Sequence, residues 1–373
     1  MGCDADVIIV GGGPGGASAA YFLRMAGCRV LLLERNRLPR SKTCAGGVPR
    51  SALQLFPFSF SGVIEQTMER GTFVCGERSV TQYVPGESLF MVQRRDFDFF
   101  LLRQSGAKIL EGEKVRSVEQ ESDRVRVVTQ SGKRLCSRYL IGADGPKSNV
   151  ASSAGLRRNT GTGVALQLEV DPGPELLKVY SGRFLVGLGA LDKGYCWVFP
   201  KAGHLSVGIG NMGRGNGQLL VRLKRFMAWL GINLEGYPSR AHPLPLFSPR
   251  AERQKGRILL VGDAAGLVDP LTGEGIRHAM VSGQLAAEAV TKGPLASYSR
   301  RVHRAIGKDL WWASLFARMF YARQQQCFEW LVRNPYVFED MMRIVNFRLG
   351  YRASLFKTPL YLLNWAKRAP LDE

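Results

Sequence analysis

The chain has 373 residues, of which 45% are hydrophobic, and its 51 Lys and Arg against 31 Asp and Glu give a formal net charge of +20. This length and apolar content exclude a disordered chain and predict two or three domains. The positive charge predicts attraction to polyanions or to an anionic lipid surface. We expect no nucleic-acid partner, because the basic residues are spread along the chain and the sequence shows no helix-turn-helix, zinc-finger or RNA-binding signature.

The seven cysteines include no C-x-x-C pair. The sequence therefore predicts neither a metal site nor a disulfide framework, and it is typical of a reducing cytoplasm. No uncharged apolar stretch reaches the roughly 18 residues that span a bilayer, and no signal peptide is recognised. We expect a cytoplasmic protein.

The first predicted unit, DVIIVGGGPGGASAAYFLRMAGCRVLLLERN, consists of a strand, a helix and a second strand. The apolar run from Val7 to Val10 stops at glycines, and a helix of small residues follows. Residues 29–33 then predict a strand that ends at Glu34. The pattern is that of a βαβ unit.

A glycine-rich motif occupies the junction of the first strand and the helix. Gly11, Gly13 and Gly16 form G-x-G-x-x-G, with Pro14 and Gly15 inside it. The first glycine allows the tight turn, the second lets the backbone approach a pyrophosphate, and the third permits close helix packing. The helix N-terminus faces the phosphate charge. The motif predicts a dinucleotide site.

Glu34 narrows the choice of dinucleotide. It lies 18 residues after Gly16, at the end of the second strand, where a carboxylate accepts hydrogen bonds from the adenosine ribose hydroxyls. Because a carboxylate repels a 2′-phosphate, the sequence predicts FAD or NAD rather than NADP.

Beyond this unit the pattern changes several times. It is irregular over residues 50–87, and FMVQRRDFDFFLLRQSG predicts a helix that stops at Gly106. Residues 114–128 predict a strand pair, and residues 138–141 predict a further strand. Residues 158–250 are rich in glycine, proline and short β-like runs, which predicts a separate sheet domain. A strand, a loop and a long helix then return in RILLVGDAAGLVDPLTGEGIRHAMVSGQLAAEAV.

One strand of the sheet domain carries a row of aromatic residues. In GYCWVFPKAGHLSVGIG, Tyr195, Trp197 and Phe199 occupy alternate positions and share one face, with Cys196 and Val198 on the other. Two interpretations are open at this point: a core strand buried on both faces, or one wall of a flat apolar pocket.

Two segments resemble motifs of FAD-dependent enzymes with the p-hydroxybenzoate hydroxylase fold. VGDAAGLVDPLTGEGI resembles their GD motif and YLIGADGPKSNV resembles their DG motif, which favours FAD over NAD. The resemblance implies that Asp263 accepts a ribityl hydroxyl, with a helix N-cap as the alternative. It also implies cofactor contacts by Arg94, near the flavin or its phosphates, and by Arg35, Val115, Asp144 and Gly145.

The end of the GD segment opens the predicted long helix. Gly273, Gly275 and Ile276 stand at its start. Backbone N–H groups and the helix dipole at such a start stabilise the negative charge that a reduced flavin accumulates. We predict these three residues as further cofactor contacts.

Three segments together resemble the geranylgeranyl reductase family of FAD enzymes. They are SKTCAGGVP, the Y-x-W-x-F-P-K pattern of residues 195–201, and GDAAG with PLTGEGI. The family reduces carbon–carbon double bonds in polyprenyl chains. The resemblance implies that Tyr195, Trp197 and Phe199 line the isoprenoid tunnel. It also implies that a loop beside the flavin is formed by Cys44, Ala45, Gly46 and Gly47.

Cys44 is the candidate catalytic residue by this resemblance, as a proton relay or as a positioning group. The alternative is a buried small residue without a chemical role, because free cysteines are often simply buried. Ala45 and Cys196 stand where the family usually has glycine, and both departures bear on the expected width of the pocket.

The sequence therefore predicts an α/β fold, α+β overall, in three parts. A Rossmann-like FAD-binding domain comprises residues 1–58, 90–157 and 255–296, and a discontinuous β-sheet substrate domain comprises residues 59–89 and 158–254. Residues 297–373 form a C-terminal helical region with four of the six tryptophans and 13 Lys and Arg against 6 Asp and Glu. Its amphipathic stretch either packs on the core or lies in a membrane interface. We expect peripheral attachment to the inner face of the membrane.

The predicted function is FAD-dependent reduction of an isoprenoid or a prenylated lipid, with NADPH or ferredoxin as the electron donor. One alternative is an FAD-dependent aromatic monooxygenase or halogenase of the same fold, although halogenases usually carry G-W-x-W-x-I-P where this chain has GYCWVFP. Another is a flavin-containing isoprenoid-binding protein without turnover, because fold and cofactor do not establish function.

Overall fold

A computed structural model of the chain describes residues 3–86, 88–157, 159–213 and 218–357. The strands are β1 (Ala5–Val10), β2 (Val30–Glu34), β3 (Gly47–Pro49), β4 (Ile64–Thr67), β5 (Arg70–Cys75), β6 (Arg78–Tyr83), β7 (Leu89–Val92), β8 (Lys108–Glu111), β9 (Val115–Gln120), β10 (Val125–Thr129), β11 (Arg134–Gly142), β12 (Gly161–Val170), β13 (Arg183–Leu188), β14 (Gly194–Pro200), β15 (Leu205–Asn211), β16 (Arg240–Leu246), β17 (Gln254–Lys255) and β18 (Ile258–Leu260).

The helices are α1 (Pro14–Met25), α2 (Arg50–Leu53), α3 (Arg94–Gln104), α4 (Asn149–Ser153), α5 (Pro174–Tyr180), α6 (Leu219–Trp229), α7 (Ile276–Lys292), α8 (Tyr298–Val302), α9 (Lys308–Ala322), α10 (Gln324–Arg333) and α11 (Pro335–Val345). A π-helical turn, His303–Gly307, joins α8 to α9. This mixture of parallel and antiparallel sheets with C-terminal helices confirms the predicted fold class.

The chain forms two compact units. Unit 1 comprises residues 1–42, 94–162 and 243–311, and unit 2 comprises residues 43–93, 163–242 and 312–373. Residues 43–58 thus belong to unit 2 and residues 297–311 to unit 1. The three-part division by function stays a prediction.

Unit 1 contains a sheet with the strand order β17-β18-β11-β1-β2-β8, and β9 and β10 extend it from β11. From β18 to β8 neighbouring strands run parallel. Val7, Ile8 and Ile9 are fully buried, as expected for a parallel strand covered on both faces. The predicted β1-α1-β2 unit is confirmed.

Two helices of unit 1 pack closely because glycine lines their contact. A Cβ on Gly283 of α7 would lie 2.4 Å from the carbonyl oxygen of Gly15 in α1. Beside it, the Ser18 hydroxyl donates to the carbonyl oxygen of Met280 at 2.7 Å. The small residues that made α1 recognisable in the sequence are therefore what lets α7 approach it.

Unit 2 contains a seven-stranded sheet, in the order β16-β12-β15-β14-β13-β5-β6, and a three-stranded sheet, in the order β3-β7-β4. One face of the larger sheet packs against α5 and α6 through side chains such as Val198, Val207 and Leu223. The opposite face packs against α10 and α11, where Phe328 and Phe338 are buried.

The stretch over which the sequence pattern is irregular, residues 50–87, overlaps the predicted sheet-domain segment 59–89, and the structure has strands there. It contains β4, β5 and β6. In β6 the side chains are exposed or half-buried, because it is the edge strand of its sheet, and β4 is half-buried throughout. Neither strand therefore shows the apolar alternation by which strands are recognised.

Within the described part of the chain, none of the helices has the length and apolar character needed to cross a bilayer. Helices α8–α11 occupy much of the predicted C-terminal helical region. Residues 358–373 of that region lie outside the described residues.

Candidate functional site

The glycine motif shapes the junction between β1 and α1. Gly11 has a φ of +105°, and a Cβ there would lie 2.3 Å from the carbonyl oxygen of Ala143. A Cβ on Gly16 would lie 2.0 Å from the carbonyl oxygen of Gly11. Both positions therefore exclude any side chain, as the motif predicts.

Gly13 begins α1 and leaves space in front of it. None of the described side chains caps this end of the helix, and Pro14 occupies its first turn. A Cβ on Gly13 would have a single heavy-atom neighbour within 4 Å, the Arg40 guanidinium at 3.7 Å. An uncapped helix start with free space and a nearby cation is suited to a pyrophosphate.

Glu34 is buried at the end of β2, with 3% of its surface exposed. One carboxylate oxygen accepts the Gly12 N–H at 2.8 Å, and the other accepts the Asn36 N–H at 3.0 Å. Oε2 also faces Arg40 Nε at 3.3 Å, so the lone pair that a ribose ligand requires is the second one of Oε1. Glu34 thus also anchors the glycine loop, which the sequence did not reveal.

A chain of buried charges follows Glu34. Arg40 lies 3.3 Å from Glu34 and 3.2 Å from Asp98. Asp98 also accepts two hydrogen bonds from Arg94, at 2.7 and 2.8 Å. Arg94 is therefore held by a carboxylate one helical turn away, while the predicted contact Arg35 is exposed. Sequence interpretation missed Arg40 and Asp98.

The DG segment forms a turn that leads into α4. Asp144 accepts hydrogen bonds from the Ser148 hydroxyl at 2.6 Å and from the Val150 N–H at 3.1 Å. Burial raises the pKa of Asp144, and these hydrogen bonds offset the rise only in part. Gly145 has a φ of +83° with open space around its Cα. Val115 is buried at the start of β9.

Asp263 lies in a 3₁₀ turn after β18, Gly262–Ala265. Its carboxylate pairs with the Lys42 ammonium at 3.3 Å. This pair lies within unit 1, so Lys42 is a second cation near a predicted cofactor residue. The role of Asp263 toward a ribityl chain stays a prediction.

The start of α7 carries a buried ion pair that the sequence interpretation did not include. Gly275 is the N-cap of the helix, and no side chain in the described part of the chain caps it. Glu274 lies 3.0 Å from His278, and it accepts the Arg277 N–H at 2.6 Å. Burial lowers the pKa of His278, but the Glu274 carboxylate outweighs it and raises the pKa above its usual value. The backbone N–H of Arg277 is therefore already used at this helix start. Gly273 precedes the pair in the sequence, and Ile276 lies between its two members.

The Cys44 loop of unit 2 is held by the ammonium of Lys201. Lys201 is 1% exposed, and its Nζ donates to the carbonyl oxygens of Ala45 at 2.8 Å and Val92 at 3.0 Å. Gly46 has a φ of +73°, and a Cβ there would lie 2.6 Å from that Nζ. Cys44 itself is half-buried. In the sequence, only the Pro-Lys pair that ends the aromatic segment drew attention to Lys201.

Three aromatic side chains share one face of β14, as the alternation predicts. The ring centroids of Tyr195 and Trp197 are 6.2 Å apart, and those of Trp197 and Phe199 are 6.5 Å apart. Trp197 is 4% exposed, whereas the other two are half-buried. A Cβ on Gly47 would lie 3.3 Å from the Phe199 ring, so the Cys44 loop borders this row.

The glycines of β15 make room for these rings. Gly208 is paired with Trp197 across the strands, and a Cβ on Gly208 would lie 2.1 Å from its indole ring. Cys196 is fully buried on the opposite face, in the cluster that contacts α6. The expectation that Cys196 affects the width of the pocket was therefore wrong.

Lys201 gives a prediction for the pH dependence of stability. Burial lowers its pKa to about 8 from 10.5, although Glu169, Cys44 and Glu65 partly oppose the shift. Between these values the unfolded chain binds more protons than the folded chain, so stability rises with pH. Relative to Lys201→Met, the free energy of unfolding of the wild-type protein should rise by roughly 3 kcal/mol from pH 8 to pH 10.5.

Urea denaturation across that pH range measures this difference. Lys224→Met, which removes an exposed lysine of α6, is the matched control and should follow the wild-type protein. If the free energies of unfolding of the wild-type protein and Lys201→Met differed by the same amount at every pH, the prediction would be contradicted.

Comparison with known proteins identifies the family. The chain matches the FAD binding domain family over residues 4–181. It is 33% identical to digeranylgeranylglycerophospholipid reductase 2 of Methanothermobacter thermautotrophicus over 344 residues, covering 82% of this chain and 85% of that protein. It is 30% identical to the chloroplastic geranylgeranyl diphosphate reductase of Oryza sativa subsp. japonica, covering 77% of this chain and 66% of that protein.

A solved structure has the same fold. It is a geranylgeranyl bacteriochlorophyll reductase-like protein from Thermoplasma acidophilum, with a TM-score of 0.76, 21% sequence identity, and coverage of 98% of this chain and 97% of that chain. The phosphate loop, the uncapped start of α1 and buried Glu34 fit FAD, the cofactor that the matched domain indicates. The chain belongs to the geranylgeranyl reductase family of FAD-dependent oxidoreductases.

Proposed function

We propose that this protein reduces carbon–carbon double bonds in the polyprenyl chain of a lipid or lipid precursor. The observation that carries the proposal is the row of three rings on β14, bordered by the Cys44 loop. The names of the relatives, which refer to geranylgeranyl and digeranylgeranyl compounds, support this class of substrate. FAD, when bound and reduced, supplies a hydride.

The rings bind and orient the apolar chain. The half-buried faces of Tyr195 and Phe199 flank buried Trp197, so that a flat alkene packs on them without exposure of either partner to water. Cationic character at a tertiary carbon is stabilised by aromatic faces by about 0.5–2 kcal/mol per contact. The rings thus assist a reaction in which one alkene carbon receives a hydride and its neighbour a proton.

Cys44 is the proposed source of that proton. Lys201 donates one hydrogen bond to the Ala45 carbonyl of the Cys44 loop and one to the Val92 carbonyl of β7, which ties the loop to β7 and restricts where the thiol lies. Sγ transfers its proton to the alkene carbon and recovers it from solvent, so one hydride and one proton are consumed for each double bond.

The reductase activity is tested without oxygen. The dithionite-reduced protein should convert at least one of three geranylgeranyl compounds, the alcohol, the diphosphate or a lipid that carries the same chain, into products heavier by two hydrogens for each double bond. Trp197→Ala should lower kcat/KM at least tenfold, by loss of packing and ring contacts, with unchanged FAD content. Trp229→Ala, at a tryptophan of α6 that is 52% exposed, is the matched control.

Mass spectrometry and flavin absorbance separate the alternatives. A monooxygenase would add oxygen, and only when O₂ and NAD(P)H are present. A binding protein without turnover would leave reduced FAD unoxidised by the alkene. Equal loss of FAD and activity in Trp197→Ala would show that the ring row is only a core strand.

Cys44→Ser tests the proton step separately. A serine hydroxyl is a far weaker acid than a thiol, so alkene reduction by pre-reduced protein should slow at least tenfold, within the range of general acid catalysis. The same assay with Cys196→Ser, at the buried cysteine of the opposite face, controls for the loss of a thiol. An unchanged rate in Cys44→Ser would remove Cys44 from the mechanism.

We also propose that α9 attaches the protein to an anionic lipid surface. Trp311, Leu315 and Met319 are 47%, 36% and 55% exposed, and their spacing of four residues places them in one row on the helix. Basic residues of the same helix, such as Arg318, and the net charge of +20 complement anionic lipid.

Vesicle co-sedimentation tests this attachment. The wild-type protein should bind phosphatidylglycerol vesicles and not phosphatidylcholine vesicles. Replacing Trp311, Leu315 and Met319 together by serine should weaken binding at least tenfold, because their apolar surface no longer enters the interface. The double variant Met25→Ser/Tyr83→Ser, at exposed apolar residues of α1 and β6, is the control. Unaltered binding of the triple variant would contradict the proposal.

A further inference from the structure

Three polar atoms on one face of the seven-stranded sheet are buried without a hydrogen-bond partner among the described residues. They are Trp197 Nε1, Gln167 Oε1 and Ser206 Oγ, in residues that are 4%, 5% and 0% exposed. Buried polar atoms in native proteins are nearly always paired. Three on one face mark a place where a partner from outside the chain, an ordered water or a ligand, completes the hydrogen bonds.

Strand register brings these residues together. Trp197 of β14 is opposite Gly208 of β15, and Gly208 is opposite Gln167 of β12, so the three form one row across the sheet. Ser206 lies two residues from Gly208 and therefore on the same face. The Trp197 indole covers Gly208, because a Cβ on Gly208 would lie 2.1 Å from the indole Cζ2. The same Cβ would lie 2.5 Å from the Leu166 carbonyl oxygen of β12. The indole thus extends across β15 toward Gln167.

Glu169 fixes the orientation of the Gln167 amide. Gln167 Nε2 donates to Glu169 Oε1, and a carboxylate only accepts, so the unpaired atom of Gln167 is its carbonyl oxygen. The other Glu169 oxygen lies 2.8 Å from His204 Nε2. The row therefore presents an indole N–H that only donates, an amide oxygen that only accepts, and a hydroxyl that does either.

These atoms select the chemistry of their partner. A ligand group that accepts from Trp197 and donates to Gln167 combines an acceptor and a donor, as an alcohol hydroxyl does. A fully ionised diphosphate has no proton to donate to Gln167, and it would also meet the Glu169 carboxylate at the next position of β12 on the same face. Repulsion between like charges disfavours such a group.

We propose that Trp197, Gln167 and Ser206 form a binding site for the hydroxyl group of a neutral prenylated lipid. The prenyl part of this statement rests on the proposed function, whereas the hydroxyl part rests on the three unpaired atoms. Trp197 then has two roles: its ring face contacts the apolar chain, and its N–H donates to the hydroxyl oxygen. The substrate class is a prenyl alcohol or a prenylated lipid with a free hydroxyl, rather than a prenyl diphosphate.

A pair of ligands that differ only in the hydroxyl tests this site. Geranylgeraniol and its methyl ether are titrated in detergent micelles into the holoprotein with oxidised FAD, and binding is read from the flavin absorbance. The wild-type protein should bind the alcohol about three- to tenfold more tightly, the value of one hydrogen bond. Geranylgeranyl diphosphate should bind more weakly than the alcohol.

Two variants should remove this preference. Gln167→Met removes the acceptor with little change in volume, so the alcohol and the ether should bind with equal affinity. Ser206→Ala is a second, smaller change on β15 that should reduce the same preference. Gln82→Met, at a half-buried glutamine of β6, is the matched control and should keep the wild-type preference.

Several results would overturn the site. One is equal binding of the alcohol and the ether by the wild-type protein, and another is a preference that survives Gln167→Met. A Gln167→Met protein that loses affinity for FAD instead would assign the three atoms to the flavin. If no prenyl compound binds at all, the proposed function fails first, whereas binding without a preference refutes the hydroxyl site alone.

Discussion

The buried ammonium of Lys201 is the interaction on which unit 2 depends most. Its Nζ donates to the carbonyl oxygens of Ala45 and Val92. Its backbone N–H donates to the carbonyl oxygen of His204, and its own carbonyl oxygen accepts from the Gln66 side chain. One residue thus joins the Cys44 loop, β7, β4 and the hairpin of β14 and β15. The aromatic row and the candidate thiol keep their positions because they are attached to the same residue.

Burial of the Lys201 ammonium is unfavourable in free energy, and this limits which side chains can replace it. Moving an ammonium out of water is unfavourable, and two carbonyl oxygens return only part of that energy. An apolar side chain of similar length would avoid the cost but leave both carbonyl oxygens without that donor, which is itself unfavourable. Gly46 completes the arrangement, because any side chain there would occupy the position of the ammonium. Lys201 and Gly46 therefore depend on each other.

Local patterns predicted the parts of the fold and the site that short stretches determine. The β1-α1-β2 unit, the glycine motif and the shared face of the three rings each depend on neighbours a few residues apart. Lys201 was missed because its hydrogen-bond partners, Ala45 and Val92, lie 156 and 109 residues away in the sequence. A periodic pattern relates only residues that are a few positions apart. Arg40 was missed for the same reason, since Asp98 is 58 residues away. Glu274 and His278 are only four residues apart, so their pairing could have been predicted from the sequence.

In the proposed lipid site, the ring-bearing face of β14 combines two kinds of recognition that act differently on a lipid. Packing against rings stabilises any apolar chain and tolerates movement along its length, because it has no preferred register. Hydrogen-bonding atoms fix a polar group at one point and penalise every other position. Gly208 connects the two, since its missing side chain lets one indole lie over β15 toward the polar row. A chain whose head group is fixed in this way presents the double bond at a set distance from that group to the rings. Under this proposal, selection among several double bonds follows from where the polar end is held rather than from the rings themselves.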